Sequence, residues 1–219
     1  MADYKKPDYW QQKARKEGYP ARSVYKLEEI DKKFGILKVR KRVLDIGAAP
    51  GSWSLYVLRK FAGNGFLAAA DLSPLSREFD KGLFDAENFF FIQGDVTTAQ
   101  VRETLLSKSP YNVIISDAAP ATTGNHIVDS ARSLELAETV IEYSQNALAE
   151  GGNLVVKVFQ GGGVDAVLKR MKTLFTTAKS YKPEACRNES VETYFIGLGR
   201  VTQNKKKLIC NNREDKMCL

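Results

Sequence analysis

A glycine-containing turn and two aspartates are the first residues that could do chemistry. The segment Val43–Trp53 reads VLDIGAAPGSW, in which an apolar strand runs into Gly47 and Gly51 and then into a helix. Glycines let a ligand approach the backbone, and the start of a helix offers free N–H groups. Asp71 and Asp95 end the next two predicted strands. A carboxylate about 20 residues after such a turn can accept hydrogen bonds from the hydroxyls of an adenosine ribose.

The spacing of the turn separates two classes of cofactor. The turn is G-x-x-x-G with Pro50 inside it, not G-x-G-x-x-G, and it is therefore poorly suited to cradling the pyrophosphate of a dinucleotide. S-adenosylmethionine carries an adenosine and no phosphate, so it fits the pattern better. We predict an S-adenosylmethionine site that includes Pro50 and the apolar residues after the two aspartates, Leu72 and Val96. A nicotinamide-dependent oxidoreductase is the alternative.

Two further strand ends carry residues that are unusual for a buried sheet. One predicted strand, 113–116, runs into Asp117, and another runs into Lys157. A charged lysine is costly to bury, so either its end reaches solvent or its amine is kept for chemistry. Asp117 stands at the equivalent level of the neighbouring strand, which favours a site. His126, the single histidine, falls in a stretch that we predict to be a solvated loop.

The elements that must position these residues alternate along the chain. Short apolar runs ended by Gly or Asp predict strands, and the longer segments between them predict helices. This alternation predicts a mostly parallel sheet with helices on both faces and one crevice at the strand ends. We expect the last strand to be antiparallel. The predicted strands are 42–46, 65–71, 89–93, 113–117, 152–158 and 193–200, and the predicted helices are 22–34, 52–61, 133–149 and 164–175.

Composition narrows the class of protein. The 219 residues are 43% hydrophobic and 27% charged, which is ordinary for a globular domain and argues against extended disorder. Apolar runs are too short to cross a bilayer, and the polar start of the chain does not resemble a secretory signal. Cys186, Cys210 and Cys218 form no C-x-x-C pair. We therefore expect a cytoplasmic protein with reduced thiols, without a metal and without a membrane partner.

The net charge of +7 is unevenly distributed. Residues 1–42 carry a balance of +7, residues 43–168 carry −7 and residues 169–219 carry +7. A basic head and tail around an acidic middle favour a nucleic-acid partner. Within the head, the aromatic and basic segment 8–18 could pack its rings on the body and offer Lys13, Arg15 and Lys16 to phosphates. A solvated basic helix is the equal alternative.

From about Pro20 to Arg200 the chain resembles the FtsJ-like 2′-O-ribose RNA methyltransferases. The matching motifs are ARSVYKL at 21–27, LDIGAAPGSW at 44–53, SDAAP at 116–120, VVKVFQG at 155–161 and VETYFIGLGR at 191–200. Ser52 departs from the bacterial pattern, which has a second glycine there. The resemblance implies a doubly wound seven-stranded α/β sheet, S-adenosylmethionine as the cofactor and RNA as the methyl acceptor. We expect the methyltransferase domain to span 21–203, between a basic segment 1–20 and a basic tail 204–219.

The same resemblance implies a catalytic tetrad. Its members would be Lys26, Asp117, Lys157 and Glu192; Glu189 competes for the last place, but Glu192 directly precedes the tyrosine-containing strand. Lys157 would take the proton of the ribose hydroxyl while Lys26 holds the developing alkoxide. Asp117 would orient the Lys157 amine, and Glu192 would position Lys26. The cofactor contacts implied by the resemblance are Gly51, Trp53, Asp71, Asp95 and Asp117.

The substrate is predicted less directly than the reaction. The compact body without an added RNA-binding domain favours a uridine of large-subunit ribosomal RNA, acted on by a monomer. Riboses of the tRNA anticodon loop and of messenger RNA caps are alternatives within the same chemistry. A non-enzymatic RNA-binding assembly factor is an alternative of another class. A complete tetrad together with both ribose carboxylates argues against it.

Overall fold

A computed structural model describes residues 9–38, 41–187 and 189–202 of the chain. Its strands are β1 (Arg42–Ile46), β2 (Phe66–Asp71), β3 (Phe89–Gln93), β4 (Tyr111–Ser116), β5 (Leu148–Phe159), β6 (Phe175–Tyr181) and β7 (Glu192–Arg200). They form one sheet in the order β3-β2-β1-β4-β5-β7-β6. Neighbouring strands are parallel, except that β7 runs antiparallel to β5 and to β6. The predicted fold class and the antiparallel last strand are confirmed.

Helices cover both faces of this sheet. They are α1 (Tyr9–Lys16), α2 (Val24–Phe34), α3 (Ser52–Phe61), α4 (Ala99–Leu106), α5 (His126–Ala147) and α6 (Val164–Leu174). Apolar residues of α4, α5 and α6 pack with Leu44 and Ile46 of β1 in one core. Those of α2 and α3 pack with Val43 in a second core on the other face. Because successive side chains of a strand point to opposite faces, each strand supplies both cores.

This alternation brings the predicted catalytic residues to one face. The residues that pack against α2 and α3 include Val113 and Ile115 of β4, Val155 of β5, and Tyr194 and Ile196 of β7. Every second residue of a strand lies on the same face, so Asp117, Lys157 and Glu192 lie on this face at the ends of β4, β5 and β7. Helix α2 lies on that face and carries Lys26, which is 8% exposed. The strand period and one covering helix therefore direct four charged residues towards one place.

Several boundaries differ from the predictions. Helix α5 begins at His126, not at residue 133, so the predicted loop position of His126 is wrong. The side chain of Asn125 caps the helix by accepting hydrogen bonds from the N–H groups of Ile127 and Val128. Residues 121–125 of the predicted loop are non-helical, and only residues 126–128 belong to the helix instead. Strand β5 begins at Leu148 and takes the last residues predicted for α5.

Helix α4 and strand β6 were not predicted, because both have weak patterns. Only Val101 and Leu105 of α4 are buried. Strand β6 lies at the sheet edge and buries only Phe175 and Ala178, so it lacks a regular apolar alternation.

Part of the predicted organisation falls outside the described residues. Residues 204–219, with Cys210 and Cys218, lie there, and the domain boundaries after residues 20 and 203 stay predictions. Cys186 is buried as a free thiol. Within the described ranges, no helix combines the length and apolarity needed to span a membrane.

Candidate active site

The glycine turn between β1 and α3 opens a small cavity at the strand ends. Gly47 has φ of +78°, and a Cβ there would lie 2.5 Å from the Cα of Ala118, so only glycine fits this close approach. The cavity has a volume of about 140 Å³. Its wall includes five of the residues predicted to bind the cofactor, namely Gly47, Asp71, Leu72, Asp95 and Val96.

The two predicted ribose carboxylates are held by the backbone. The Oδ2 atom of Asp71 accepts the N–H of Ala49 at 2.9 Å, and its Oδ1 accepts the N–H of Ser73 at 2.8 Å. Asp95 Oδ1 accepts both the N–H and the hydroxyl of Thr97 at 2.8 Å. These hydrogen bonds from Thr97 lower the pKa of Asp95. Each carboxylate keeps acceptor capacity towards the cavity, as an adenosine ribose would require.

The remaining predicted cofactor residues lie apart from this cavity wall, which does not include Pro50, Gly51, Trp53 or Asp117. Trp53 is 2% exposed, and its indole N–H donates to the carbonyl of Ser23 at 2.8 Å. Its ring packs 5.9 Å from that of Tyr194. The structure therefore places Trp53 in the core beneath the tetrad rather than on the cavity wall.

Ser52 and Trp53 join the start of α3 to the segment before α2. The Ser52 hydroxyl accepts the N–H of Ala21 at 2.8 Å and donates to the carbonyl of the same residue at 3.1 Å. With the Trp53 bond to Ser23, three hydrogen bonds fix the segment that leads into Lys26. The serine in place of the family's second glycine therefore makes a tertiary contact.

The four predicted tetrad residues meet as two ion pairs. Lys157 Nζ lies 3.0 Å from Asp117 Oδ1 and also donates to the backbone carbonyl of Asp117 at 2.5 Å. Lys26 Nζ lies 2.7 Å from Glu192 Oε1. The exposed fractions of the four side chains lie between 9% and 14%. The structure thus gathers all four residues in a largely dehydrated setting, where charges interact more strongly than in water.

Tyr194 connects the two pairs, and the sequence analysis missed its role. Its hydroxyl donates to Asp117 Oδ1 at 2.6 Å, and Lys26 Nζ lies 6.0 Å from its ring centroid. Burial, then the charges of Asp117 and Glu192, raises the pKa of Tyr194 well above its usual value. The phenol therefore stays a neutral donor. The spacing in the sequence could have indicated this role, because Tyr194 stands two residues after Glu192 and therefore lies on the same face of β7.

The charges around Asp117 fix its protonation and that of Lys26. Burial works to raise the pKa of Asp117, but Lys157, Lys26 and the Tyr194 hydroxyl together hold it below its usual range. Burial works to lower the pKa of Lys26, but Asp117 and Glu192 hold it above its usual value. Asp117 is therefore a carboxylate and Lys26 an ammonium at neutral pH. An ammonium here can stabilise negative charge that develops on a nearby oxygen.

A second missed residue is Asp45, which lies inside β1. It is fully buried; Oδ2 accepts the hydroxyl of Ser54 at 2.7 Å, while Oδ1 has no hydrogen-bond partner. Burial raises the pKa of Asp45 to about 7, opposed by Ser54 and assisted by the charges of Asp117 and Asp71. A carboxyl group inside the apolar run VLDI was the available signal.

Two larger cavities open beside the tetrad and share Glu189, Ser190 and Glu192. The first has a volume of about 450 Å³ and is lined by Ala21, Arg22, Ser23, Lys26 and Arg187; we call it the arginine cavity. The second has a volume of about 420 Å³ and is lined by Thr122, Gly124, His126, Asp129, Ser130, Lys157, Phe159 and Val191; we call it the α5 cavity. The tetrad is therefore accessible from two sides.

The predicted basic head contributes α1. Trp10 packs against Tyr25 with ring centroids 5.1 Å apart, and Lys13 Nζ lies 4.4 Å from the centroid of the Tyr25 ring. Arg15 and Lys16 are exposed on the same helix. The rings attach α1 to the body, while the role of these cations towards phosphates stays a prediction.

Comparison with known proteins assigns the family. The model of the family described as FtsJ-like methyltransferase matches residues 19–200. A protein of Treponema denticola named ribosomal RNA large subunit methyltransferase E is 50% identical over 195 residues, covering 89% of this chain and 96% of that one. A protein of the same name from Oleidesulfovibrio alaskensis is 48% identical, covering 88% and 91%.

Solved structures agree on the fold. A Plasmodium falciparum protein described as a ribosomal RNA methyltransferase superposes with a TM-score of 0.71 at 26% identity, covering 84% of this chain and all of that one. Fibrillarin of Aeropyrum pernix, solved in complex with S-adenosyl-L-methionine, superposes with a TM-score of 0.55 at 15% identity, covering 80% and 76%. The family predicted from the motifs is confirmed, and the chain belongs to the FtsJ-like methyltransferases.

Proposed function

We propose that this chain transfers a methyl group from S-adenosylmethionine to a ribose 2′-hydroxyl of RNA, with a uridine of large-subunit ribosomal RNA as the target. The observation that carries the proposal is the pairing of Lys157 with Asp117 and of Lys26 with Glu192 beside the glycine turn. Family membership supports the activity class, and the names of the relatives support ribosomal RNA.

The cavity at the glycine turn suits the cofactor. Gly47 lets the turn pack closely against Ala118, Asp71 and Asp95 offer carboxylate oxygens, and exposed Leu72 offers an apolar wall. When bound, S-adenosylmethionine supplies a methyl group made electrophilic by its sulfonium. Pro50, Gly51, Trp53 and Asp117 complete the predicted set; of these, Trp53 supports the site through packing, and the other three stay proposed contacts.

The tetrad supplies the rest of the reaction. With the methyl donor bound, the ribose oxygen would take the methyl group from sulfur, and the hydroxyl proton would pass to the lone pair of the Lys157 amine. Asp117 holds the amine in position through its carboxylate and its carbonyl. The ammonium of Lys26, anchored by Glu192, stabilises the charge on the ribose oxygen.

Assembly and location follow from the same proposal. Both ion pairs and the three cavities are formed by one chain, so a monomer suffices for the site. A ribosomal RNA substrate implies work in the cytoplasm on large subunits or their precursors.

The acceptor is tested by comparing RNAs. Large ribosomal subunits, free ribosomal RNA and tRNA from cells that lack the protein would be incubated with it and with labelled S-adenosylmethionine, and the labelled ribose would be mapped. We expect label at a uridine of the large subunit. Label in tRNA alone would overturn the ribosomal assignment, and absence of label from every RNA would favour the assembly-factor alternative.

The base is tested by substitution. Lys157→Ala should reduce turnover by about 10²–10⁴-fold, the usual contribution of a general base. Lys157→Arg should be equally impaired, because a guanidinium does not give up its proton near neutral pH. Lys169→Ala, at an exposed lysine of α6, is the matched control. Near-normal turnover of Lys157→Ala, with cofactor binding intact by calorimetry, would reject Lys157 as the base.

A further inference from the structure

The arginine cavity and the α5 cavity differ in charge, although both reach the tetrad. Arg22, Lys26 and Arg187 contribute to the wall of the first. In the second, the part of the wall formed by described residues carries Lys157 as its one lysine or arginine, against the carboxylates of Asp129, Glu189 and Glu192. Only the last two of these carboxylates also line the first cavity. A charged phosphate is therefore better accommodated by the arginine cavity, and an uncharged group by the α5 cavity.

An exposed apolar side chain directly follows, in sequence, a residue of the α5 cavity wall. Among the described residues, four large apolar side chains are exposed, namely Tyr9, Leu72, Ile127 and Val128. Leu72 belongs to the cofactor cavity, and Tyr9 packs against the ring of Trp10. Ile127 is 82% exposed and directly follows His126, which lines the α5 cavity. An exposed apolar side chain one residue away from the cavity wall suits a partner that packs there.

The start of α5 is preorganised rather than frayed. The carboxylate of Asp129 accepts the N–H and the hydroxyl of Thr123 at 2.8 Å and the N–H of Gly124 at 3.1 Å. Asn125 caps the N–H groups of the next turn. The positions of His126 and Ile127 are therefore fixed before any ligand arrives, which lowers the entropic cost of binding.

The geometry of a nucleotide connects these observations, and the connection rests on the proposed function. A ribose whose 2′-hydroxyl reaches Lys157 carries its base on one neighbouring carbon, C1′, and its 3′-phosphate on the other, C3′, so base and phosphate point to different sides of the hydroxyl. We propose that the base of the methylated nucleotide occupies the α5 cavity, stacked on His126 and bordered by Ile127, while the adjoining phosphates occupy the arginine cavity.

The position of each residue on α5 provides a control. Successive residues of a helix are about 100° apart, so Ile127 is on the flank next to His126, whereas Val128 is about 200° away on the far side. Val128 is 38% exposed, against 82% for Ile127, so Val128→Ala removes an apolar side chain from the same turn of α5 on the side away from His126. His126→Phe keeps a flat ring and separates stacking from hydrogen bonding.

The experiment measures methyl transfer to large ribosomal subunits from cells lacking the protein, together with the salt dependence of subunit binding. His126→Ala and Ile127→Ala should each lower kcat/KM by about 10-fold, within the range of lost base contacts. Val128→Ala should retain the original kcat/KM. His126→Phe, which keeps a ring for stacking but loses the imidazole nitrogens, should lower kcat/KM less than His126→Ala does. The slope of log Kd against log salt should stay unchanged for the His126 and Ile127 variants, but should fall by about 1 for Arg187→Gln, which loses a phosphate contact.

Two outcomes would overturn the assignment. One is that His126→Ala and Ile127→Ala both keep the kcat/KM of the unaltered protein. The other is that the slope of log Kd against log salt falls in these two variants as it does in Arg187→Gln. In either case, continued labelling by the unaltered protein leaves the proposed function standing. A failure of the unaltered protein to label any RNA, with S-adenosylmethionine bound, would reject the proposed function and the base site together.

Discussion

The part of the site proposed to bind the cofactor and the part proposed to catalyse the reaction hold their charged groups by different means; we call them the cofactor half and the catalytic half. In the cofactor half, Asp71 and Asp95 accept hydrogen bonds from local groups, chiefly backbone N–H, and keep contact with solvent. In the catalytic half, Lys26, Asp117 and Lys157 are buried or nearly so and depend on charged side-chain partners. A residue of the first half can be lost without leaving a buried charge. A residue of the second half cannot, because its partner would remain uncompensated.

The largest effect should follow from Asp117→Ala. This substitution leaves the buried Lys157 without its carboxylate and removes the acceptor of Tyr194, so the free energy of unfolding should fall by about 3–5 kcal/mol. Turnover should be lost as well. Urea unfolding at neutral pH measures the first effect. A loss of activity with unchanged stability would show that the pair is not mutually dependent in the folded protein.

The next effect concerns Asp45, which lies between the halves on β1. Its pKa of about 7 in the folded protein exceeds its ordinary value of 3.8, so the folded state holds a proton that the unfolded chain releases. The titration of Asp45 therefore lowers the free energy of unfolding as pH rises from about 4 to about 7, and this free energy stays lower above that range. Asp45→Asn removes this titration. The free energy of unfolding of Asp45→Asn minus that of the original protein should increase by roughly 4 kcal/mol from pH 4 to pH 8.

Urea unfolding across that pH range tests this expectation. Ser54→Ala removes the hydroxyl that lowers the pKa of Asp45. The upper end of the pH range over which stability falls should therefore move to higher pH. A constant difference between Asp45→Asn and the original protein at all pH values would contradict the assignment.

A smaller effect is expected from Gly47→Ala in the cofactor half. The new methyl group would collide with the backbone of Ala118, and alanine is strained at the positive φ of position 47. Together these should cost about 1–3 kcal/mol of stability. The displaced turn should also weaken S-adenosylmethionine binding. Gly63→Ala is the matched control, since Gly63 has φ of +84° with no atom within 4 Å of the added carbon. Equal cofactor affinity in the two variants by calorimetry would refute the close-approach argument.

The smallest effect on stability, and a clear one on binding, should come from Asp95→Ala. Asp95 is exposed, so the free energy of unfolding should change by less than about 0.5 kcal/mol. The Kd for S-adenosylmethionine should rise about 10-fold or more, because hydrogen bonds to a charged group are lost. Glu87→Ala, at another exposed carboxylate, should leave the Kd unchanged. An unaltered Kd for Asp95→Ala would remove this residue from the site.

The sequence predicted the elements with strong periodicity and the residues at their ends. Strands β1 to β3 have regular apolar runs, and the carboxylates that end β2 and follow β3 are where the alternation places them. Lys26 and Glu192 could be predicted only through the family resemblance. Neither has a local pattern that indicates chemistry, because their pairing joins residues far apart in the chain.

Other features could not be predicted because tertiary contacts decide them. Tyr194 has the pattern of a core residue, and it is one; its hydroxyl becomes functional only because Asp117 ends within reach. Trp53 follows the glycine turn in sequence but turns into the core to bond Ser23. The start of α5 depends on the cap by Asn125, whose residue type is equally common in loops.

The hydrogen bonds of Ser52 and Trp53 to residues 21 and 23 have a mechanical consequence. They fasten the first turn of α3 to the stretch of backbone that leads into Lys26. A displacement of the first turn of α3 would therefore also displace the segment that leads into Lys26. The glycine turn and the Lys26 ammonium are therefore coupled through two side chains, and a glycine at position 52 would remove two of the three hydrogen bonds that couple them.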